Sequence, residues 1–96
     1  MMKIVNYARY VTDQDKVAEL RPKHREYMSE LISEGKLVAG GPFTDGSGAL
    51  FIYDAESVEA AKAIVAVDPY ATGGAFASYE LRPWEVIKAN PRLLDA

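Results

Sequence analysis

Cysteine is absent from the 96 residues. That excludes disulfides, thiolate metal sites and cysteine nucleophiles, and it accords with a reducing compartment. Histidine occurs once, as His24, so only carboxylates remain to complete a metal site, and neither a metal nor a cofactor is expected. No apolar run approaches the roughly 20 residues that span a bilayer. Positive charge is in deficit: 11 Lys and Arg stand against 14 Asp and Glu, a net charge of -3. Nucleic acid is therefore not expected as the main partner, because phosphate binding needs a basic face. Residues 1–6 enter a strand-like pattern without a signal-peptide h-region or cleavage site. The expectation is a soluble, cytoplasmic protein with no membrane partner.

What is present is an ordinary globular composition, 49% hydrophobic and 26% charged, of a length that makes one domain over residues 1–96 with a modest core. Residues 3–11 alternate, with Val5, Tyr7 and Val11 on one side and Ile4, Ala8 and Tyr10 on the other, which suggests a central strand. Thr12-Asp13-Gln14-Asp15 is a polar break with capping candidates. Val17, Leu20, His24, Tyr27, Met28 and Leu31 then form a helical stripe. Pro22 would cost about 3 kcal/mol inside a helix but suits a first turn. The spacing therefore predicts a short helix or turn over 15–20 and a main helix over 22–34, with Gly35 as its C-cap.

Residues 36–40 read as a short strand and Thr44-Asp45-Gly46-Ser47-Gly48 as turn chemistry. Residues 49–53 form a continuous apolar strand, expected to be buried on both faces. Ser57 is an N-cap for a helix carrying Val58, Ala61, Ile64 and Val65. Asp68-Pro69 ends that helix, because the residue before proline avoids the helical region. Residues 70–74 read as a loop, 75–81 as the last strand, and Arg82-Pro83-Trp84 with the tail to Ala96 completes the chain. The order β-α-β-β-α-β is that of a ferredoxin-like α+β sandwich, a four-stranded antiparallel sheet with two helices on one face. Strands apolar on both sides leave a second face to cover, and a homodimer packed through its sheets is expected.

In this topology the end of the second helix lies beside the start of the first. His24 shares an inward stripe with Leu20 and Tyr27, and Asp68 with Ala61 and Ile64, so topology and helical phase bring them together. A carboxylate beside an imidazole fixes its tautomer and raises its basicity, which suits proton transfer. A negative charge at a helix C-terminus also opposes the macrodipole by about 0.3–1 kcal/mol, which calls for a partner such as His24 or Arg21. Each residue also has a structural reading, His24 as a packed imidazole and Asp68-Pro69 as a helix stop. Arg21, one turn before His24, could hold an anionic group or simply face solvent. Gly40-Gly41 allows close approach to a ligand, although a glycine pair is commonly only a turn. Asp45-Gly46 reads as hairpin chemistry, and Trp84 as a packing or interface residue.

Arg21-Pro22-x-His24, Gly35-Lys36-Leu37, Gly40-Gly41-Pro42, Gly48-Ala49-Leu50, Asp68-Pro69-Tyr70 and Arg82-Pro83-Trp84 together resemble the YCII-related (YciI-like) family over residues 1–87. No one motif is specific, but the ordered set is. The resemblance implies a ferredoxin-like fold of the dimeric α/β-barrel type, with His24 and Asp68 as a catalytic pair. The group includes a dehydrochlorinase acting on a chlorinated hydroxyhydroquinone, and muconolactone isomerase is a more distant relative. The implied activity is a cofactor-independent lyase or isomerase moving a proton on a small aromatic or lactone-like compound. Arg21 would position an anion, and Gly41, Pro42, Phe43 and Tyr70 would line the pocket. The alternatives are a non-catalytic module that binds a small molecule or a protein, and a cofactor-free monooxygenase of the same fold type.

Overall fold

The computed structural model describes residues 1–94; Asp95 and Ala96, the end of the expected tail, lie outside the described residues. The elements are β1 (Met2–Tyr10), α1 (Gln14–Ser33), β2 (Leu37–Pro42), β3 (Gly48–Ala55), α2 (Val58–Ala66), α3 (Pro69–Thr72) and β4 (Phe76–Trp84), then a 3-10 helix, Pro91–Leu94. The strands form an antiparallel sheet in the order β2-β3-β1-β4. This is the ferredoxin-like α+β arrangement that the element order implies, with β1 central as its two apolar faces require.

The period of two sorts the strands. Ile4, Asn6 and Ala8 of β1 pair with Tyr53, Phe51 and Ala49 of β3, and all six are buried. Leu31 of α1 and Ala61 and Val65 of α2 pack on this surface. Register shifts keep the pattern in phase. Val38 is skipped between Leu37 and Ala39 of β2, and Ala77 of β4 is skipped where β1 passes from Arg9 to Tyr10. Leu37 and Gly40 therefore both lie on the helix side, opposite Tyr53 and Phe51, and Phe76 meets Tyr10.

Several expectations are corrected. Helix α1 runs unbroken through Pro22 rather than restarting there. The missing Pro22 N–H leaves the Ala18 carbonyl without its helical donor, but both residues are on the exposed side of the helix, where that loss costs least, while the buried Val17, His24 and Leu31 hold the helix to the sheet. Asp13 caps the N-terminus, accepting from the Asp15 and Lys16 amides. At the other end the cap is Glu34, and Gly35 follows at φ 72. The Gly35 N–H bonds the Ile32 carbonyl and the Lys36 N–H bonds the Leu31 carbonyl, the paired bonds of a Schellman motif.

Residues 70–74 are not simply a loop, since α3 occupies Pro69–Thr72. Nor does Asp68 end α2: Val67 is that cap, and Asp68 is the extended N-cap of α3, accepting from the Tyr70 amide. The unfavourable placement against the α2 dipole is therefore replaced by a favourable cap. Strand β4 extends to Trp84, and Pro83 is tolerated because β4 is an edge strand. Within residues 49–53 strand β3 is fully buried on its helix side, while on the other Leu50 is exposed and Ile52 half-buried. No helix among the described residues is long and apolar enough to cross a membrane.

Candidate active site

One carboxylate oxygen organises the junction between α1 and α3. Asp68 Oδ1 accepts the Tyr70 N–H at 2.9 Å and lies 2.8 Å from His24 Nδ1. An ionised carboxylate only accepts, so Nδ1 carries the shared proton and Nε2 is left as the basic nitrogen. Asp68 is fully buried and His24 is 6% exposed. The Asp68 Oδ2 and Asn6 Oδ1 atoms are buried with no hydrogen-bond partner among the described residues.

The imidazole is held by aromatic rings as well as by the carboxylate. Tyr70 stacks on it with centroids 3.8 Å apart and planes 8° from parallel, and Phe51 meets it edge-on at 5.5 Å. Tyr10 in turn packs edge-on against Tyr70 at 5.5 Å. Helix α3 can come this close to α1 because Gly73 sits against Leu20, where a Cβ would lie 2.6 Å from both Leu20 methyls. Burial, followed by the neighbouring Tyr70 hydroxyl, pushes the Tyr10 phenol up to about 12, against the opposing pull of the Arg21 guanidinium. Burial and the Asp68 charge likewise push Tyr27 up to about 12, and its hydroxyl donates to the Ile64 carbonyl at 2.6 Å. Tyr53, which accepts from Asn6 Nδ2 at 3.2 Å, is also raised, chiefly by burial.

A cleft of ≈ 620 Å³ opens between α1, α3 and the edge strand β2, with His24 in its wall. That volume falls in the usual range for small-molecule sites. Arg21, Gly41, Pro42, Phe43 and Tyr70 all border it, with Arg21 exposed one turn before His24 and the Phe43 ring 5.4 Å from that of Tyr7. Four further residues of the cleft, Tyr10, Arg25, Met28 and Phe51, were not singled out from the sequence. Strand alternation could have flagged Tyr10 and Phe51 as helix-facing, and the spacing of four from Arg21 could have flagged Arg25. Gly40 makes room for the Phe51 ring, since a Cβ there would lie 2.6 Å from Phe51 Cδ1. No group of three or more His, Asp or Glu residues suited to a metal ion occurs among the described residues.

An α+β sandwich with a buried imidazole–carboxylate pair beside an open cleft is the class of protein that these features define. The YCII-related domain model matches residues 2–85, and the chain belongs to that family. It is 31% identical over 65 residues to the uncharacterized protein YjpA of Bacillus subtilis, covering 68% of this chain and 75% of that protein. It is 29% identical over 97 residues to protein YciI of Escherichia coli, covering 90% of this chain and 99% of the relative. Among solved structures, 5-chloro-2-hydroxyhydroquinone dehydrochlorinase (TftG) of Burkholderia phenoliruptrix, in complex with 2,5-dihydroxybenzoquinone, superposes with a TM-score of 0.77. That match has 24% identity and covers 88% of this chain and 94% of the other. The Arabidopsis thaliana protein At3g17210 has the same general fold, with a TM-score of 0.52, 16% identity, and coverage of 94% and 99%.

Proposed function

We propose that this protein is a cofactor-independent lyase or isomerase that moves a proton on a small cyclic compound, with His24 as the general base or acid and Asp68 as its orienting partner. The observation that carries this reading is the 2.8 Å contact between His24 Nδ1 and Asp68 Oδ1 in the wall of the cleft. With Nδ1 protonated and tied to the carboxylate, Nε2 takes a proton from the substrate. Asp68 then stabilises the imidazolium until the proton is returned at another position or leaves with a departing group. Arg21 positions an anionic group, while Gly41, Pro42, Phe43 and Tyr70 shape the pocket. The dehydrochlorinase neighbour supports an elimination of this kind as one version of the chemistry. The family match over residues 2–85 supports reading residues 1–96 as one domain. The lack of cysteine accords with a cytoplasmic setting, and the apolar open face of the sheet supports a homodimer.

The test is exchange of solvent deuterium into a panel of hydroquinones, cyclic enols and lactones, followed by NMR. Wild type should catalyse exchange with some member of the panel. His24→Ala should lose it, a loss of about 10²–10⁴-fold for a general base, with unchanged circular dichroism. If His24→Ala unfolds instead, the histidine is structural.

A second reading is favoured by the near-complete enclosure of the imidazole, 6% exposed under the stacked Tyr70 ring. In that reading the cleft binds a small molecule without chemistry, the pair being a packing device. Ligand affinity would then survive Asp68→Asn, and no product would form with any ligand.

A further inference from the structure

The charges of α1 are segregated by face. Asp15, Glu19, Glu26 and Glu30 lie on the outward side, and Lys16 and Lys23 each have a glutamate three or four positions away, at Glu19 or Glu26. Arg21 and Arg25 have none. Their neighbours at three and four positions are Val17, Ala18, Pro22, His24, Met28, Ser29 and each other. Like charges four apart on a helix cost a few tenths of a kcal/mol rather than stabilising it. Neither guanidinium takes part in an ion pair among the described residues, and both border the cleft, whose lining contains no Asp or Glu. The nearby Asp68 is spent on His24 and buried behind it. A chain of net charge -3 thus places two unmatched guanidinia at one opening.

Gln14, Ser29 and Thr44 add polar groups to the border of the cleft, and aromatic rings form its inner walls. Phe51 and Tyr70 are ring walls, and Gly40 removes the one side chain that would crowd Phe51. A planar ring fits against such surfaces, and a planar guanidinium fork matches an oxyanion.

From this charge pattern we infer that the cleft selects a planar ring bearing an oxyanion, such as an aromatic carboxylate or phenolate, with the anion held between Arg21 and Arg25. Arg25 is a specificity residue in this assignment. The inference deepens the proposed function and rests on it for the identity of the site, but it concerns binding and does not require turnover.

The experiment compares benzoate with the neutral isostere benzamide on the isotopically labelled full-length chain at low salt. Binding is followed by the Gly40 and Gly41 amide signals and the His24 ring. Benzoate should give saturable shifts and bind about tenfold tighter than benzamide, the size of one charge-assisted contact. Arg25→Gln should weaken benzoate about fivefold, as for a partly exposed ion pair, and leave benzamide unchanged. Lys23→Gln, on the outward face of the same helix, should alter neither. Added salt should narrow the preference. Equal binding of the two probes, an unaffected Arg25→Gln, or no saturable binding of benzoate up to its solubility limit overturns the inference. Benzoate selectivity without turnover of any substrate removes the catalytic reading alone, whereas turnover without anion selectivity removes this inference alone.

Discussion

At the scale of single residues, Asp68 links structure to chemistry, because the oxygen that caps α3 through the Tyr70 amide is also the one that faces His24. Two donors depend on it in a buried setting. Asp68→Ala should therefore lower stability by about 1–3 kcal/mol, the cost of leaving buried donors unpaired, as read from urea midpoints. It should also abolish the slowly exchanging, downfield Nδ1–H proton signal expected of an imidazole bonded to a carboxylate. A signal that persists in Asp68→Ala would mean that the proton has another acceptor. The tyrosines supply a pH dependence at the opposite end of the scale. Tyr10 and Tyr27 have an ordinary value of 10.0, and each is raised to about 12 in the fold. The fold favours their protonated forms, so their contribution is complete below pH 10 and is lost as pH rises towards 12. Stability measured against pH should fall across that alkaline window, and Tyr10→Phe with Tyr27→Phe should flatten the fall. An unchanged curve in the double variant would assign the loss to other groups. The approach of His24 to Asp68 was legible in the sequence from chain topology, which sets the end of the second helix beside the start of the first. The phase argument for Asp68 fails, because that residue lies beyond α2 as the cap of α3. The stacking of Tyr70 was not legible, because it depends on how closely α3 packs against α1.

At the scale of elements, the glycines of the β2–β3 region separate three physical situations. A Cβ at Gly48 would run into the Ala8 carbonyl oxygen, which is backbone and cannot turn aside. At Gly40 it would meet the buried Phe51 ring, and at Gly41 nothing lies within 4 Å. Gly48→Ala should therefore be the most damaging. Gly40→Ala should cost about 1–3 kcal/mol, as overpacking does, and should weaken ligand binding by moving the Phe51 wall. Gly41→Ala should be close to neutral. Thermal unfolding of the three variants checks the order, and a destabilised Gly41→Ala would show that its backbone conformation, not its space, matters. The strands were legible in outline because alternation is set by the pleat itself. Their ends differ from the expected ones by one to three residues, in both directions, because backbone pairing rather than side-chain pattern sets where a strand stops. Pro22 misled for an energetic reason: its intrinsic cost is real, but the buried face of α1 outweighs it. The Asp68-Pro69 pair was read only as a stop, although the same two residues, a capping acid followed by proline at the first helical position, also start a helix.

At the scale of the whole molecule, the two faces of the sheet differ in kind. One is closed by the helices. The other presents Val5, Tyr7, Leu50, Ile52 and Trp84, with Tyr7 44%, Leu50 37% and Trp84 47% exposed. Val5, Tyr7, Leu50 and Ile52 form an apolar centre on this face, and Lys3, Arg9, Asp54, Glu80 and Arg82 border it. An apolar centre with a charged rim is the composition of a protein–protein contact, and a second copy is the occupant we expect. Sedimentation equilibrium should therefore give twice the chain mass. Leu50→Glu should shift the protein to a monomer, because it sets a charge in the middle of the contact, yet the side chain already reaches solvent in the single chain and the fold should survive. If wild type is monomeric, the open face has another role and the substitution should be inconsequential. The same variant also relates assembly to the site. The walls formed by His24, Phe51 and Tyr70 lie on the helix side of the sheet, opposite the face that carries Leu50. A monomeric Leu50→Glu variant should then keep benzoate binding. Loss of binding together with the dimer would mean that a partner copy completes the cleft near Gly41 and Phe43, the lining residues nearest the open face.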